Sequence, residues 1–407
     1  MLLKDEAGKK KPAVPIFLAI GRYLLIRLSC TTTSATLKEM EDILDWMVLG
    51  RIPGIGVTGF WTLVERFGSP GAVLQCPLPQ LQAAVNMRKN QLTGLVQKNE
   101  MLLQCRRELD ELRQKGIECI IPTDDRYPPK LKEISDPPVL LYVVGNVHLL
   151  KKCCIAVVGS RASTSYGSRV AHTLASRLSA CGVTVVSGLA LGIDTEAHRG
   201  ALAAGGNTVA VLGCGLDVIY PRQNRQLFEK IAANGAIVSE YPLGTAPEGF
   251  RFPARNRIIA GLSSGVVVVE AARKSGSLIT AQLAIDEGRD VYAVPGQVDS
   301  YKSEGTHWLL QQGAKLVQSE KDILEDLGED ARVPAAQTAQ SKKFTPSPSL
   351  ERKAEILLRS IDSYPLPRDE LIRRSGLEIY EFSEFLLLLE LEGLVEVLPG
   401  DEIRRIP

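Results

Sequence analysis

Cys154-Ile155-Ala156-Val157-Val158-Gly159-Ser160-Arg161 is an apolar, mostly β-branched run that stops at once in glycine, serine and a cation. The same event recurs along the chain. Val183–Val186 ends in Ser187-Gly188-Leu189-Ala190, Thr208–Leu212 in Gly213-Cys214-Gly215, and Ala236–Val238 in Ser239-Glu240. Gly265–Val269 ends in Glu270-Ala271, and Val291–Val294 in Pro295-Gly296. Runs so short, so rich in Val and Ile, and without polar alternation read as strands buried on both faces. Helical patterns follow or separate them at Tyr166–Ala180, Asp194–Ala204, Asn224–Ala233, Ala254–Leu262, Ser277–Glu287 and Thr306–Gln312, with Asp194 and Ser277 placed as N-caps. Connections of this length are crossovers, which predict an α/β fold with a parallel sheet. Ligands of such open sheets bind outside the carboxyl ends of the strands, so all of these tails point at one crevice.

Outward from this core the chain divides into further parts. Residues 1–36 form an N-terminal extension, and 37–116 a helical domain, SAM- or helix-hairpin-helix-like, with Ile52-Pro53-Gly54-Ile55-Gly56 as a tight interhelical turn. That turn offers backbone amides beside a helix start, yet it carries no basic residue, so a structural role is favoured. Residues 117–327 hold the sheet, preceded by the β-like run Val139–Val144. Residues 328–350, rich in Ala, Gln, Ser, Thr, Pro and Lys, read as a flexible linker. In 351–407 three helical patterns (Glu351–Ile361, Arg368–Ser375, Ile379–Glu392) precede a hairpin over Val395–Ile406, the order of a winged helix. This last segment carries 8 Lys/Arg against 13 Asp/Glu, which suits a protein-docking module better than a DNA reader.

Composition excludes some classes. With 48 Lys+Arg against 47 Asp+Glu the formal charge is +1, so a nucleic-acid partner has to be held by a local patch. None of the eight cysteines forms a CxxC pair, which fits a reducing cytoplasm and disfavours a zinc site. The apolar stretch 14–30 behind Lys9-Lys10-Lys11 imitates a signal peptide, but Arg22 and Arg27 interrupt it, and no other segment approaches a membrane span.

The loops exclude others. Gly159-Ser160-Arg161-Ala162-Ser163 lacks GxGxxG spacing, the second strand ends in Ser187 where a dinucleotide site needs an acid, and no GxxxxGK[ST] is present; no cofactor is expected. Gly261-Leu262-Ser263-Ser264-Gly265 spells GxSxG but precedes a strand, whereas a nucleophile elbow follows one. His198, one turn beyond Asp194, has no third partner in sequence and reads as structural.

Anion binding is better supported. Ser160-Arg161 places a hydroxyl, amides and a guanidinium at an expected helix start. Ser187-Gly188 and Gly192 allow a close approach of backbone. Phe250-Arg251-Phe252-Pro253-Ala254-Arg255-Asn256-Arg257 alternates rings and cations, and Lys274 follows in a stretch with one acid, Glu270. Rings stack bases while cations meet phosphates, the chemistry of a single-stranded nucleic-acid groove. A second reading stays open for Arg255 and Arg257, as buried partners of Glu240 and Glu270.

At these residues the chain resembles the DNA processing protein A (DprA/Smf) family. The resemblance rests on Val158-Gly159-Ser160-Arg161, Ser187-Gly188-Leu189-Ala190-Leu191-Gly192-Ile193-Asp194 with Ala197-His198, and Val211-Leu212-Gly213 through Tyr220-Pro221. It continues through Ser239-Glu240-Tyr241-Pro242, Phe252-Pro253-Ala254-Arg255-Asn256-Arg257, Ser275-Gly276-Ser277-Leu278-Ile279-Thr280-Ala281 and Val294-Pro295-Gly296. It implies an extended Rossmann-like domain that binds single-stranded DNA and loads the recombinase RecA during natural transformation, a homodimer formed through that domain, and no catalysis. Carried over by position, the DNA site comprises Gly159, Ser160, Arg161, Ser187, Gly188, Arg251, Phe252, Arg255, Asn256, Arg257 and Lys274. Where some members have a lysine before the phenylalanine, this chain has Ala246-Pro247-Glu248-Gly249, so Glu248 weakens binding unless Arg251 and Lys274 compensate. The alternative is a nucleotide phosphoribohydrolase on a similar sheet, with Glu270 as its acid.

Overall fold

The computed structural model describes residues 34–85, 88–328, 348–362, 364–398 and 400–406. Most of the expected extension and linker lies outside them. The chain separates into two compact units divided between residues 337 and 338.

The first unit is organised by a nine-stranded sheet. Its strands are β1 (Glu118–Ile120), β2 (Leu141–Gly145), β3 (Cys154–Val158), β4 (Thr184–Ser187), β5 (Thr208–Leu212), β6 (Ala236–Ser239), β7 (Gly265–Val268), β8 (Asp290–Ala293) and β9 (Lys315–Leu316). The order β1-β2-β6-β5-β4-β3-β7-β8-β9 reverses direction at β3. The tails of β3 and β7 therefore flank the switch point, where a crevice opens because successive helices leave to opposite faces. Side-chain alternation works on both faces at once. Ala156 and Val158 of β3 join the core under Ile258, Ala281 and Ala284, while Ile155 and Val157 pack with Ala171, Leu174 and Ala197.

The sheet is not wholly parallel. β2 runs antiparallel to both β1 and β6. Only a short 3₁₀ turn, Val147–Lys151, joins β2 to β3, too little chain for a parallel crossover. Two expected caps also move. The helix Ile193–Ala203 starts after Gly192, and Asp194 lies inside it, accepting hydrogen bonds from the Gly188 and Ala190 amides. Ser275 rather than Ser277 caps the helix Gly276–Asp286, its hydroxyl accepting from the Ser277 amide.

The helical N-terminal part packs on the β1–β2 end. Its first turn joins Ser34–Arg51 to Val57–Phe67, and Ile52 and Ile55 of the hairpin are buried. Arg51 ion-pairs with Glu108 and donates to the Tyr142 hydroxyl of β2 at 3.1 Å, tying helix to sheet.

The second unit holds the helices Pro348–Ser360, Arg368–Ser375 and Ile379–Leu391 and the hairpin Val395–Leu398 with Glu402–Arg405. A short strand, Leu366–Pro367, adds to the hairpin. Two residues are too few for a periodic signal, which is why the sequence did not reveal it. Leu357, Leu371, Phe382, Phe385, Val395 and Ile403 form the core.

Candidate nucleic-acid interface

The strand tails do converge. A groove of about 820 Å³ is lined by Gly159, Ser160, Arg161, Tyr220, Phe252, Asn256, Lys274 and Ser277, among others. A smaller recess beside it adds Gly188, Leu191 and Gly213 to Arg161, Tyr220 and Phe252. Phe252 is carried by the helix Arg251–Leu262 and reaches across to Gly213, where any Cβ would stand 3.0 Å from its ring. The Tyr220 ring stacks on Phe252 at 5.5 Å with an interplanar angle of 26°. The exposed Arg161 guanidinium lies 5.2 Å from the Phe252 centroid. Cation, ring and ring thus form one layered surface open to solvent, able to meet a phosphate and a base together.

The Gly159–Arg161 loop is held from beneath. Ser160 donates its amide to the Glu270 carbonyl at 2.7 Å and accepts from the Ile193 amide at 3.1 Å. Gly192 sits at φ +77 with no room for a side chain, since a Cβ would come within 2.3 Å of the Ser160 carbonyl. The expected phosphate seat at a helix start is therefore corrected. The following helix begins only at Ser165, Thr164 caps it, and the Glu270 carboxylate accepts from the Thr164 amide at 2.9 Å. The protein's own carboxylate fills that anion site, leaving the Ser160 hydroxyl and Arg161 as the outward groups.

Arg255 is the largest correction. It is 4% exposed and donates to the Gly188 carbonyl at 2.8 Å and to the Val211 carbonyl. Asp194 takes the Gly188 amide from the other side, so the two charges clamp one peptide segment between them. Glycine at 188 makes room for this, because a Cβ would lie 2.6 Å from the guanidinium and push it off these carbonyls. Burial lowers the Arg255 pKa and raises that of Asp194, and each charge opposes the other's shift. Arg255 builds the floor of the groove and does not present its guanidinium to solvent. Ser187 is buried as well, donating to the Val157 carbonyl at 2.7 Å.

Arg257 points away from the groove. It ion-pairs with Glu240 and lies 3.8 Å from Asp136, with 12% of its side chain exposed. Burial raises the Glu240 pKa against the pull of Arg257. Of the pairings left open in the sequence, Arg257 with Glu240 forms, whereas Glu270 serves the Thr164 amide. Arg251 is outside the groove too: it lies over the Tyr241 and Phe250 rings and 3.4 Å from Glu248. Glu248 thus meets Arg251, and of the two compensating cations only Lys274 lines the groove.

His198 takes a structural role. Fully enclosed, its Nδ1 is hydrogen-bonded to the Thr208 hydroxyl at 2.7 Å, and burial, with Arg255 nearby, drives its pKa down to about 3. The GxSxG letters mark the end of the helix Arg251–Leu262 before β7. Among the described residues no His, Cys, Asp and Glu cluster is suited to hold a metal ion, and no helix is long and apolar enough to cross a membrane.

Three family models cover most of this architecture. DNA recombination-mediator protein A matches residues 118–328, a DprA-like N-terminal HHH domain 40–95, and a DprA winged helix domain 341–401. The chain belongs to the DNA recombination-mediator protein A family. Protein Smf of Synechocystis sp. is 39% identical over 327 residues, 73% of this chain and 82% of that relative. DNA processing protein DprA of Streptococcus pneumoniae is 52% identical over 201 residues, 49% of this chain and 71% of that protein. The X-ray structure of DprA from S. pneumoniae superposes with a TM-score of 0.60 at 38% identity, covering 73% of this chain and 99% of that one.

Within this family frame the sequence reading missed Tyr220, Ser275 and Ser277 as groove residues. In the sequence Tyr220-Pro221 stands out only as part of a family motif. The available signal was its position in the loop after β5, one of the tails that has to face the crevice.

Proposed function

We propose that the sheet-tip groove binds single-stranded DNA and that the chain is a non-enzymatic recombination mediator in the cytoplasm, delivering the strand to the recombinase RecA. The observation that carries the reading is the layered Arg161–Phe252–Tyr220 surface, exposed at the switch point beside Lys274. Splayed bases can use its ring faces, and a duplex with its bases stacked inside cannot. Family membership supports the same pathway, as does the similarity to the DNA processing protein DprA of Streptococcus pneumoniae. The groove, with Gly159, Ser160, Arg161, Phe252, Asn256 and Lys274 at its surface and Gly188 and Arg255 in its floor, is the binding site in this proposal.

A homodimer through the Rossmann-like domain belongs to the same reading. It rests on the membership of the chain in the DNA recombination-mediator protein A family. The phosphoribohydrolase alternative is disfavoured because Glu270 is buried, its carboxylate accepts from the Thr164 amide, and it is not among the groove-lining residues.

Fluorescence anisotropy with a labelled oligothymidine, its duplex, and the Arg161→Ala variant tests the binding. The expected order is strand over duplex, with affinity lost in the variant; equal affinity for strand and duplex defeats the proposal. RecA-driven strand exchange on coated DNA tests the mediator step, and chromatographic release of adenine from AMP tests the hydrolase alternative.

A further inference from the structure

Beyond the sheet-tip groove lies a second concavity of about 580 Å³, between the helices Ile193–Ala203 and Arg225–Asn234. Its walls carry Arg199 and Lys230 with the amides of Gln223, Gln226 and Asn234, its floor includes the buried Leu227, and no carboxylate or aromatic residue lines it. Of the acids on these helices, Glu196 pairs with the groove cation Arg199 at 2.7 Å, and Glu229 lies 3.5 Å from Arg225, outside the groove lining. Lys230 has no ion-pair partner among the described residues. Cations and amides without rings are suited to phosphate and sugar oxygens and offer nothing on which a base can stack.

The two concavities share a wall. Tyr220 and Pro221 line the first, and Gln223, two residues on, lines the second. Between them the buried Asn224 donates to the Leu189 carbonyl at 2.9 Å and to the Thr195 hydroxyl at 2.8 Å, fixing this wall to the Gly188–Ala190 loop and to the helix behind it. A strand stacked on Tyr220 is therefore three residues along the chain from Gln223, which lines the second groove. A ten-residue helix gives that groove a length of about 15 Å. At about 3.4 Å of rise per stacked nucleotide, this spans roughly four phosphates.

We infer that this interhelical groove is a second seat for the sugar-phosphate backbone, which takes the strand as it leaves the aromatic pocket and adds length-dependent, sequence-indifferent affinity. The inference rests on the single-stranded DNA reading proposed above. Both cations are exposed, so charge reversal there leaves the core and the pocket residues untouched.

The test compares the full chain with the double variant Arg199→Glu/Lys230→Glu on oligothymidines of about 5 and about 20 nucleotides, by anisotropy across a salt series. The wild-type chain is expected to bind the longer strand more tightly. The variant should keep the short-strand affinity, lose about tenfold or more on the long strand, and show a salt slope there shallower by about 1.4, or 0.7 for each of two lost phosphate contacts. Unchanged long-strand affinity and slope, with short-strand binding intact, overturns the second seat alone. A wild-type chain that binds neither strand overturns the underlying reading, and this inference with it. Equal loss on both lengths also overturns it, because the residues then act on the pocket.

Discussion

Arg161→Ala separates a contact from a scaffold. The guanidinium is exposed and touches the rest of the protein chiefly through the Phe252 ring at 5.2 Å, so its removal leaves no buried group unpaired. Folding stability should change by less than about 0.5 kcal/mol, as for surface substitutions in general. Binding should change more. A charge-assisted hydrogen bond to a phosphate contributes about 1.5–3 kcal/mol, and holding the guanidinium over the ring adds about 0.5 kcal/mol at an exposed site. The total, about 2–3.5 kcal/mol, corresponds to a roughly 30- to 350-fold weaker complex. The slope of log K against log salt should fall by about 0.7, the signature of one phosphate no longer neutralised on a single strand. Anisotropy titrations of an oligothymidine at four or five salt concentrations give both quantities from one data set, and Arg161→Lys should restore most of the slope. If Arg161→Ala binds with wild-type affinity and slope, the guanidinium meets no phosphate and the groove has been assigned wrongly.

Three further outcomes follow from the same geometry. Phe252→Ala should weaken oligonucleotide binding by about 1–3 kcal/mol with no change of salt slope, because it removes stacking and no charge; a slope change measured in the same titration would contradict that division of labour. Arg255→Met should destabilise the fold by about 3–5 kcal/mol, since Asp194 is left buried without its counter-charge; denaturant unfolding at the wild-type level would show that the clamp on Gly188 is dispensable. His198, whose folded pKa is lowered to about 3 from 6.5, binds a proton in the unfolded state before the folded one. Its contribution is fully present above pH 6.5 and is lost as pH falls from there towards 3, which removes about 2 kcal/mol between pH 7 and pH 5. His198→Gln should flatten that part of the stability profile, and an unaltered profile would mean that other groups set it.

Legibility differed between fold and site for a definite reason. Strands such as Cys154–Val158 and Thr208–Leu212 are buried on both faces, so their composition alone marks them, and helix periodicity fills the gaps between them. β9 and the Leu366–Pro367 strand are two residues each and leave no such mark. Among the site residues, Arg161 and Phe252 were identified from their place at strand tails and in a basic, aromatic run. Arg251, Arg255 and Arg257 share that run, yet one covers rings beside Glu248, one builds the floor and one pairs with Glu240. Within a helix, neighbours two residues apart point to different sides, and charge patterning does not say which side faces the crevice.

The sequence by itself determined the α/β class, a crevice at the strand tails and the kind of residue gathered there, because burial on two faces and abrupt glycine-rich tails are local properties of the chain. Only the tertiary structure decided which cations face solvent. A guanidinium is spent or available according to the carbonyls and carboxylates that long-range packing brings to it, as Glu240 reaches Arg257 across the end of β6 and Gly188 closes over Arg255.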